Sequence, residues 1–265
     1  MRIFEIRDHE LDRSVGVLLN YEKDGSFIIE LESNLDEWTA PILFAALVKK
    51  GVYTMPRDVS ALWVKARVIP PGRQNINSIL KNHHLRTYDE MEFLIRSHGK
   101  CSQDSLYIRK LEELPEYVME RMQRNLRDCV GLEDDAMLCF FRDDTIRKVT
   151  LESLAGTADI QKLRGNRRLF ESGHITAGGY AVTFDEQIDM PAGTWYEAGD
   201  PSPLRPEDLL AMVRRNLVDT SEACELLECS RQNLSYLNKE NRLTPIRKNV
   251  KGNLYLKGDV LRNKW

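Results

Sequence analysis

The sequence has no apolar run long enough for a membrane-spanning helix. Its longest apolar stretch, Ala40–Val48, is about half of the required length. Met1–Glu10 alternates charged and apolar residues and does not show the basic and apolar regions of a secretory signal. These absences predict a soluble, cytoplasmic protein with no membrane partner.

Cysteine is scarce, and its spacing matches no common metal-binding motif. The five cysteines are Cys101, Cys129, Cys139, Cys224 and Cys229. No Cys-x-x-Cys motif occurs, and no histidine lies between or just after Cys224 and Cys229. This spacing disfavours a zinc site and predicts reduced, mostly buried thiols. We expect no metal and no cofactor.

The chain also lacks a strong net charge, but its charge is unevenly distributed. The formal net charge is −3. The segment Cys229–Trp265 contains nine basic residues and two acidic ones, a net charge of +7, so the other 228 residues carry −10. We call Cys229–Trp265 the basic tail and the other residues the acidic body. This distribution of charge is typical of a protein whose basic tail binds a polyanion.

Proline and glycine mark the clearest boundary. Gly199–Pro206 contains three prolines and one glycine, which predicts an irregular linker. A softer break falls at Asp128–Asp135. The sequence thus predicts domains at residues 1–130, 131–200 and 201–265. The expected fold class is α+β, with two small mixed α/β domains followed by an all-helical or winged helix-turn-helix module.

The C-terminal segment has the pattern of three short helices. Leu209–Leu217 is expected to form the first helix, and the second begins at Asp219 or Thr220. Glu222 stands three residues after Asp219, as in a capping box. Glu228 and Cys229 form the expected turn to the third helix.

Ser230 is expected to cap the third helix, which runs to about Asn241. Leu234 and Leu237 are its inward positions. Its outward face carries side chains that can contact base edges and phosphates: Arg231, Gln232, Asn233, Ser235, Tyr236 and Lys239. A basic hairpin is expected next, with its turn at Arg247–Gly252.

The stretch Thr220–Leu261 resembles the winged helix-turn-helix of the MerR/excisionase type. It has a helix of small residues, a short turn, Ser-Arg at the next helix, Leu-x-Pro, a hairpin and a closing Gly-Asp-Val-Leu. The resemblance implies binding of double-stranded DNA. It places Arg231, Gln232, Asn233, Ser235 and Tyr236 at the major groove, with a phosphate at the helix start beside Ser230. It places Arg247, Lys248 and Lys251 in the wing, at the DNA backbone or minor groove.

The middle segment, Met137–Gly199, resembles the small α+β family known as DUF2442. The order is a strand, an acidic turn at Arg142–Thr145, a returning strand, a helix at Ala158–Leu169, a hairpin around Ala177–Gly179 and a final Trp-Tyr-Glu. This resemblance implies a fold and no activity. A kinase catalytic loop at the acidic turn is disfavoured, because no asparagine follows at the needed spacing.

The N-terminal segment combines a predicted hairpin, Ser14–Leu31, with several predicted helices. These helices are Asp36–Lys50, Asp89–Ser97 and Pro115–Asn125. The order Gly16-Val-Leu, Phe27, Ile69-Pro-Pro-Gly-Arg73, Ile79-Leu80, Tyr88-Asp-Glu-Met and Gly99-x-Cys101 is similar to the N-terminal subdomain of HipA-type toxins. The loop Pro70–Asn75 is either a surface turn, which we favour, or a contact for a phosphate or a peptide.

Two main classes of function fit these patterns. The first is a sequence-specific transcriptional regulator, in the form of an autoregulating antitoxin-type homodimer whose acidic N-terminal body binds a toxin-like partner or a ligand. The alternative is an interaction scaffold or a neutralising antitoxin whose helix-turn-helix does not bind DNA. An enzyme targeted to nucleic acid is disfavoured because no catalytic motif is found, and we expect no catalytic residues.

Overall fold

The computed structural model describes residues 1–154, 158–201, 206–248 and 252–264. Helices and small antiparallel sheets make up these residues, which confirms the α+β class. The chain divides into two units with their own internal contacts, Met1–Val118 and Met119–Trp265. Among the described residues, no helix combines the length and apolar character that a bilayer span requires.

A five-stranded antiparallel sheet organises the first unit. Its strands are β1 (Arg2–Asp8), β2 (Arg13–Tyr21), β3 (Ser26–Leu31), β4 (Thr54–Met55) and β5 (Leu106–Leu111), in the order β4-β3-β2-β1-β5. Its helices are α1 (Ile42–Val48), α2 (Arg57–Lys65), α3 (Ile76–Asn82) and α4 (Glu90–Arg96), and α5 (Glu116–Met122) spans the unit boundary.

The predicted N-terminal hairpin is confirmed. Tyr21 pairs with Ser26, and Gly25 turns the chain with a φ of +68°. One face of the sheet packs on the helices, with Ile29 and Trp63 fully buried. Ser60 links the two layers, since its hydroxyl accepts a hydrogen bond from Ile29 N at 3.0 Å.

The predicted helix Asp36–Lys50 is wrong in its first part. The carboxylate of Asp36 accepts hydrogen bonds from Trp38 N and Thr39 N, which forms a turn. Pro41 then occupies the N-cap, and the helix begins at Ile42. Proline favours a helix start and lacks the N–H that a helix interior needs, so it overrides the apolar periodicity.

The described residues of the second unit form three small sheets. The four-stranded sheet joins β6 (Leu126–Gly131), β7 (Ala136–Phe141), β8 (Ile146–Thr150) and β12 (Asp200–Pro201) in the order β12-β8-β7-β6. The three-stranded sheet joins β9 (His174–Ile175), β10 (Ala181–Phe184) and β11 (Ile188–Pro191). The third pairs β13 (Leu217–Val218) with β14 (Tyr255–Leu256).

The helices of this unit are short. They are α6 (Ala158–Arg164), α7 (Arg167–Glu171), α8 (Ala192–Ala198), α9 (Pro206–Asn216), α10 (Thr220–Leu226), α11 (Arg231–Lys239) and α12 (Lys257–Arg262), with a 3-10 turn at Ala177–Gly179.

Two predictions for the second unit need correction. The predicted helix Ala158–Leu169 is broken after Arg164, because the Asn166 side chain accepts a hydrogen bond from Leu169 N and starts α7. The predicted linker Gly199–Pro206 is partly regular, since Asp200–Pro201 pairs with β8. Residues 202–205 of that linker lie outside the described residues.

The glycine turn between β9 and β10 packs tightly on β6. Gly179 has a φ of +73°, and a Cβ at this position would overlap the carbonyl oxygen of Leu126. We therefore expect Gly179→Ala to lower the free energy of unfolding by at least about 2 kcal/mol, because it combines left-handed strain with a backbone clash. Urea titration followed by circular dichroism measures this change.

A matched glycine in the same unit supplies the control. A Cβ at Gly193, in α8, would contact nothing within 4 Å. Gly193→Ala should raise the free energy of unfolding by about 0.5–1 kcal/mol, because alanine favours the helix. Equal effects of the two substitutions would contradict the tight contact at Gly179.

Candidate nucleic-acid interface

The start of α10 is fixed by the predicted capping box. The Asp219 carboxylate accepts hydrogen bonds from Ser221 N at 2.7 Å and Glu222 N at 2.9 Å. In return, the Glu222 carboxylate accepts one from Asp219 N at 2.8 Å. These bonds pair amides that would otherwise lack partners in the first turn of the helix.

The end of α10 is a Schellman motif. Glu228 takes a left-handed conformation with a φ of +51°. Its N–H donates to Glu225 O at 3.1 Å, and Cys229 N donates to Cys224 O at 3.0 Å. Both bonds satisfy carbonyls of the last turn, so the chain leaves α10 in a fixed direction.

Ser230 caps α11 as predicted, since its hydroxyl accepts a hydrogen bond from Asn233 N at 3.3 Å. Leu234 and Leu237 are buried against α10 and the returning chain. The helix ends at Lys239, two residues before the expected Asn241, which has a φ of +55°. The cap and the inward face are thus confirmed, and the predicted end is slightly too long.

The outward face of α11 is exposed and polar. Six predicted contact residues are exposed: Arg231, Gln232, Asn233, Ser235, Tyr236 and Lys239. The Tyr236 side chain, at 53% exposure, is a large aromatic surface without a packing role in the core. Arg231 contacts α10, because its guanidinium donates a hydrogen bond to Ser221 Oγ at 3.1 Å.

Among the described residues, the basic hairpin predicted after α11 is represented by one bridge. Ile246 N donates to Leu254 O at 2.7 Å, and Arg247 bridges Leu254 in antiparallel fashion. Beyond that bridge, β14 pairs with β13, the strand that precedes α10. Arg247 and Lys248 are exposed, whereas the predicted contact residue Lys251 lies outside the described residues.

Tyr255 ties the returning strand to α11. Its ring is fully buried, and its hydroxyl accepts hydrogen bonds from Asn238 Nδ2 at 2.9 Å and Asn253 Nδ2 at 3.2 Å. Asn253 N also donates to Thr220 Oγ1 at 3.2 Å, at the start of α10. Asn253 and the start of β14 are therefore held close to the end of α11 and the start of α10. Sequence reasoning had not identified Tyr255 as a structural residue.

Some basic residues of the segment Cys229–Trp265 form ion pairs within the fold. Arg262 pairs with Asp259, and burial lowers the pKa of this arginine. Lys264 pairs with Glu228 at 3.4 Å. The exposed cations among the described residues of the tail are Arg231, Lys239, Arg242, Arg247 and Lys248.

A buried carboxylate, which no sequence pattern had indicated, fixes this region to the four-stranded sheet. Asp128, on β6, accepts hydrogen bonds from Asn216 Nδ2 at 2.6 Å and Gly258 N at 3.1 Å. A Cβ on Gly258 would overlap the Arg127 carbonyl oxygen, so only glycine allows this approach. Burial is the main cause that raises the pKa of Asp128 to about 6.

The other polar clusters noted in the sequence lie on ordinary turns. Pro70–Asn75 is exposed and is closed by Arg73 N donating to Pro70 O at 3.2 Å. In the acidic turn, the Asp143 carboxylate accepts hydrogen bonds from Thr145 and from the Tyr196 hydroxyl. Among the described residues, no three histidine, cysteine or acidic side chains are grouped as metal ligands.

The chain matches no protein-family model, no curated protein and no solved structure. A functional assignment therefore depends on the contacts and exposure of the chain's own residues.

The raised pKa of Asp128 predicts a pH dependence of stability. The folded protein holds this proton more tightly than the unfolded chain, whose aspartate pKa is near 3.8. The contribution of Asp128 to stability is therefore present at low pH and lost as pH rises from about 4 to about 6, by up to about 3 kcal/mol. Urea unfolding across this window should show this loss in the wild type and not in Asp128→Asn.

Asp185→Asn is the matched control, because Asp185 is exposed on a turn of the same unit. It should follow the wild-type curve throughout. If Asp128→Asn also kept the wild-type dependence on pH, the assignment of the raised pKa to Asp128 would be wrong.

Proposed function

We propose that this protein is a sequence-specific transcriptional regulator that binds double-stranded DNA through a winged helix-turn-helix of the MerR/excisionase type. The observation that carries the proposal is α11. It is capped by Ser230, held by Leu234 and Leu237, and exposes a continuous polar face.

The composition of this face suits the major groove. The groove is about 12 Å wide and accepts an α-helix, and arginine, glutamine and asparagine can each form paired hydrogen bonds with base edges. Arg231, Gln232 and Asn233 occupy the first turn of α11, where a recognition helix contacts bases. The Arg231 bond to Ser221 spans two exposed side chains, so DNA can replace it at little cost.

Arg247 and Lys248 fit the role of wing residues. Both are exposed beside the bridge to Leu254, and the contacts of Asn253 and Tyr255 hold the strand that follows. Lysine and arginine here would contact phosphates and fix the orientation of α11 without selecting sequence. We extend the same role to Lys251, which the resemblance places in the wing.

The acidic body supports the regulatory part of the proposal. The residues outside Cys229–Trp265 carry a net charge of −10, which disfavours their contact with DNA. We propose that Met1–Val118 binds a toxin-like protein or a ligand, and that the protein controls its own operon as an antitoxin-type repressor or activator in the cytoplasm.

The first experiment is binding of the purified protein to DNA from upstream of its own gene, titrated with salt. We expect specific binding with a steep salt dependence. Arg231→Ala should weaken specific binding by about tenfold or more, because a bidentate base contact contributes about 1–3 kcal/mol. Lys248→Ala should weaken binding to all sequences and reduce the salt slope by about one.

Arg86→Ala is the matched control, since it removes an exposed arginine from the first unit. It should leave both the affinity and the salt slope unchanged. An affinity for the upstream DNA no higher than for random DNA, or equal losses in Arg231→Ala and Arg86→Ala, would count against α11 as the recognition helix. Either result would favour the scaffold or neutralising antitoxin.

A single module of this size contacts few base pairs, so we also propose a homodimer on repeated half-sites. Sedimentation at micromolar concentration should give twice the 30.7 kDa chain mass. DNA footprints should protect two half-sites separated by about one helical turn, or a multiple of it. A monomer under these conditions would contradict the dimer and leave the fold of α10 and α11 unaffected.

A further inference from the structure

The turn between α10 and α11 brings two thiols together. A Schellman motif frequently brings the side chain after the left-handed position against the side chain five positions earlier. Here these two residues are Cys229 and Cys224, joined by the bond from Cys229 N to Cys224 O at 3.0 Å. Both side chains are half-buried and pack on the core beneath the helix pair.

Cys224 and Cys229 lie on the same turn, and both side chains pack on one cluster of buried residues. Burial raises the pKa of the Cys224 thiol, and a hydrogen bond and the charge of Cys229 raise it further. Both thiols are free and partly open to solvent, and the backbone bond between the two residues keeps them close together. The other close pair, Cys129 and Cys139 on β6 and β7, is fully buried and therefore closed to a dissolved oxidant.

We propose that Cys224 and Cys229 are a reversible oxidation site, at which hydrogen peroxide converts the two thiols into an intramolecular disulfide. Because the raised pKa of Cys224 disfavours its thiolate, we assign the attack to Cys229. Its sulfur attacks the peroxide O–O bond and becomes a sulfenic acid, with release of one water molecule. The second sulfur then attacks the first and displaces a second water molecule. The thiols lose two hydrogen atoms and two electrons, and the peroxide is reduced to two molecules of water.

The disulfide alters the start of α11. Its sulfur atoms are about 2.0 Å apart, closer than any contact between two thiols, so Cys229 is drawn toward α10. Cys229 directly precedes Ser230, the N-cap of α11, and Arg231 follows at the first helical position. The further consequence, weaker DNA binding by the oxidised form, depends on the proposed function.

The test treats the full chain with hydrogen peroxide under native conditions, followed by alkylation and mass spectrometry. The wild type should lose two reactive thiols, yield a linked Cys224–Cys229 peptide and regain both thiols with dithiothreitol. Cys101→Ser should behave in the same way, because Cys101 lies in the first unit. Cys224→Ala and Cys229→Ala should each abolish the linked peptide.

Affinity for the upstream DNA is measured in parallel. The oxidised wild type should bind at least about tenfold more weakly, the loss expected from one base contact. Cys224→Ala should not respond to peroxide. Absence of the linked peptide, or only cross-links between chains, would overturn the proposed site. Equal affinity of the two redox forms would overturn its regulatory effect.

The two proposals can fail separately. If neither redox form binds DNA, the proposed function fails, and the linked peptide still decides whether the thiol pair is an oxidation site.

Discussion

The buried carboxylate of Asp128 is the contact on which the arrangement of the second unit depends. It lies on β6 and accepts hydrogen bonds from Asn216, the last residue of α9, and from Gly258, in the first turn of α12. Burial opposes its charge, whereas each of these hydrogen bonds favours it. Loss of the bond from Gly258 N would leave Oδ2 desolvated and without that donor, which is costly, whereas Oδ1 would keep its bond from Cys129 N if Asn216 were replaced. The helices α9 and α12 are therefore fixed to the four-stranded sheet by hydrogen bonds.

This anchoring has a consequence for the helix pair. The segment that contains α10 and α11 is fixed at both of its ends. It begins after β13, which follows α9, and it ends at β14, which precedes α12; β13 and β14 pair with each other. Met212 of α9 also packs on the face of β6 and β7. The direction of α11 then depends on few local contacts, chiefly the turn at Glu228 and the buried Tyr255. A helix that presents side chains to a rigid ligand requires such a support.

Local signals in the sequence predicted local structure well. The capping box at Asp219, the cap at Ser230 and the hairpin around Gly25 each depend on residues within a few positions of one another, and all three are confirmed. Contacts between distant segments could not be predicted in this way. Asp128 and Gly258 are 130 positions apart, and β6 was missed because its burial depends on chain far along the sequence. The predicted boundary at residue 130 consequently falls within a strand.

A count of basic residues in the sequence overstates the number of cations that the candidate interface exposes. The tail carries nine basic residues, but Arg262 and Lys264 are ion-paired within the fold. The exposed cations include Arg231 and Lys239 on α11, and Arg247 and Lys248 beside the hairpin bridge. Since each phosphate contact adds a limited, salt-dependent increment to affinity, a module that exposes five cations among its described residues would, under the proposed function, bind DNA weakly by itself. The same scarcity is the physical reason to expect two copies on one DNA site, because two joined modules double the contacts without enlarging either one.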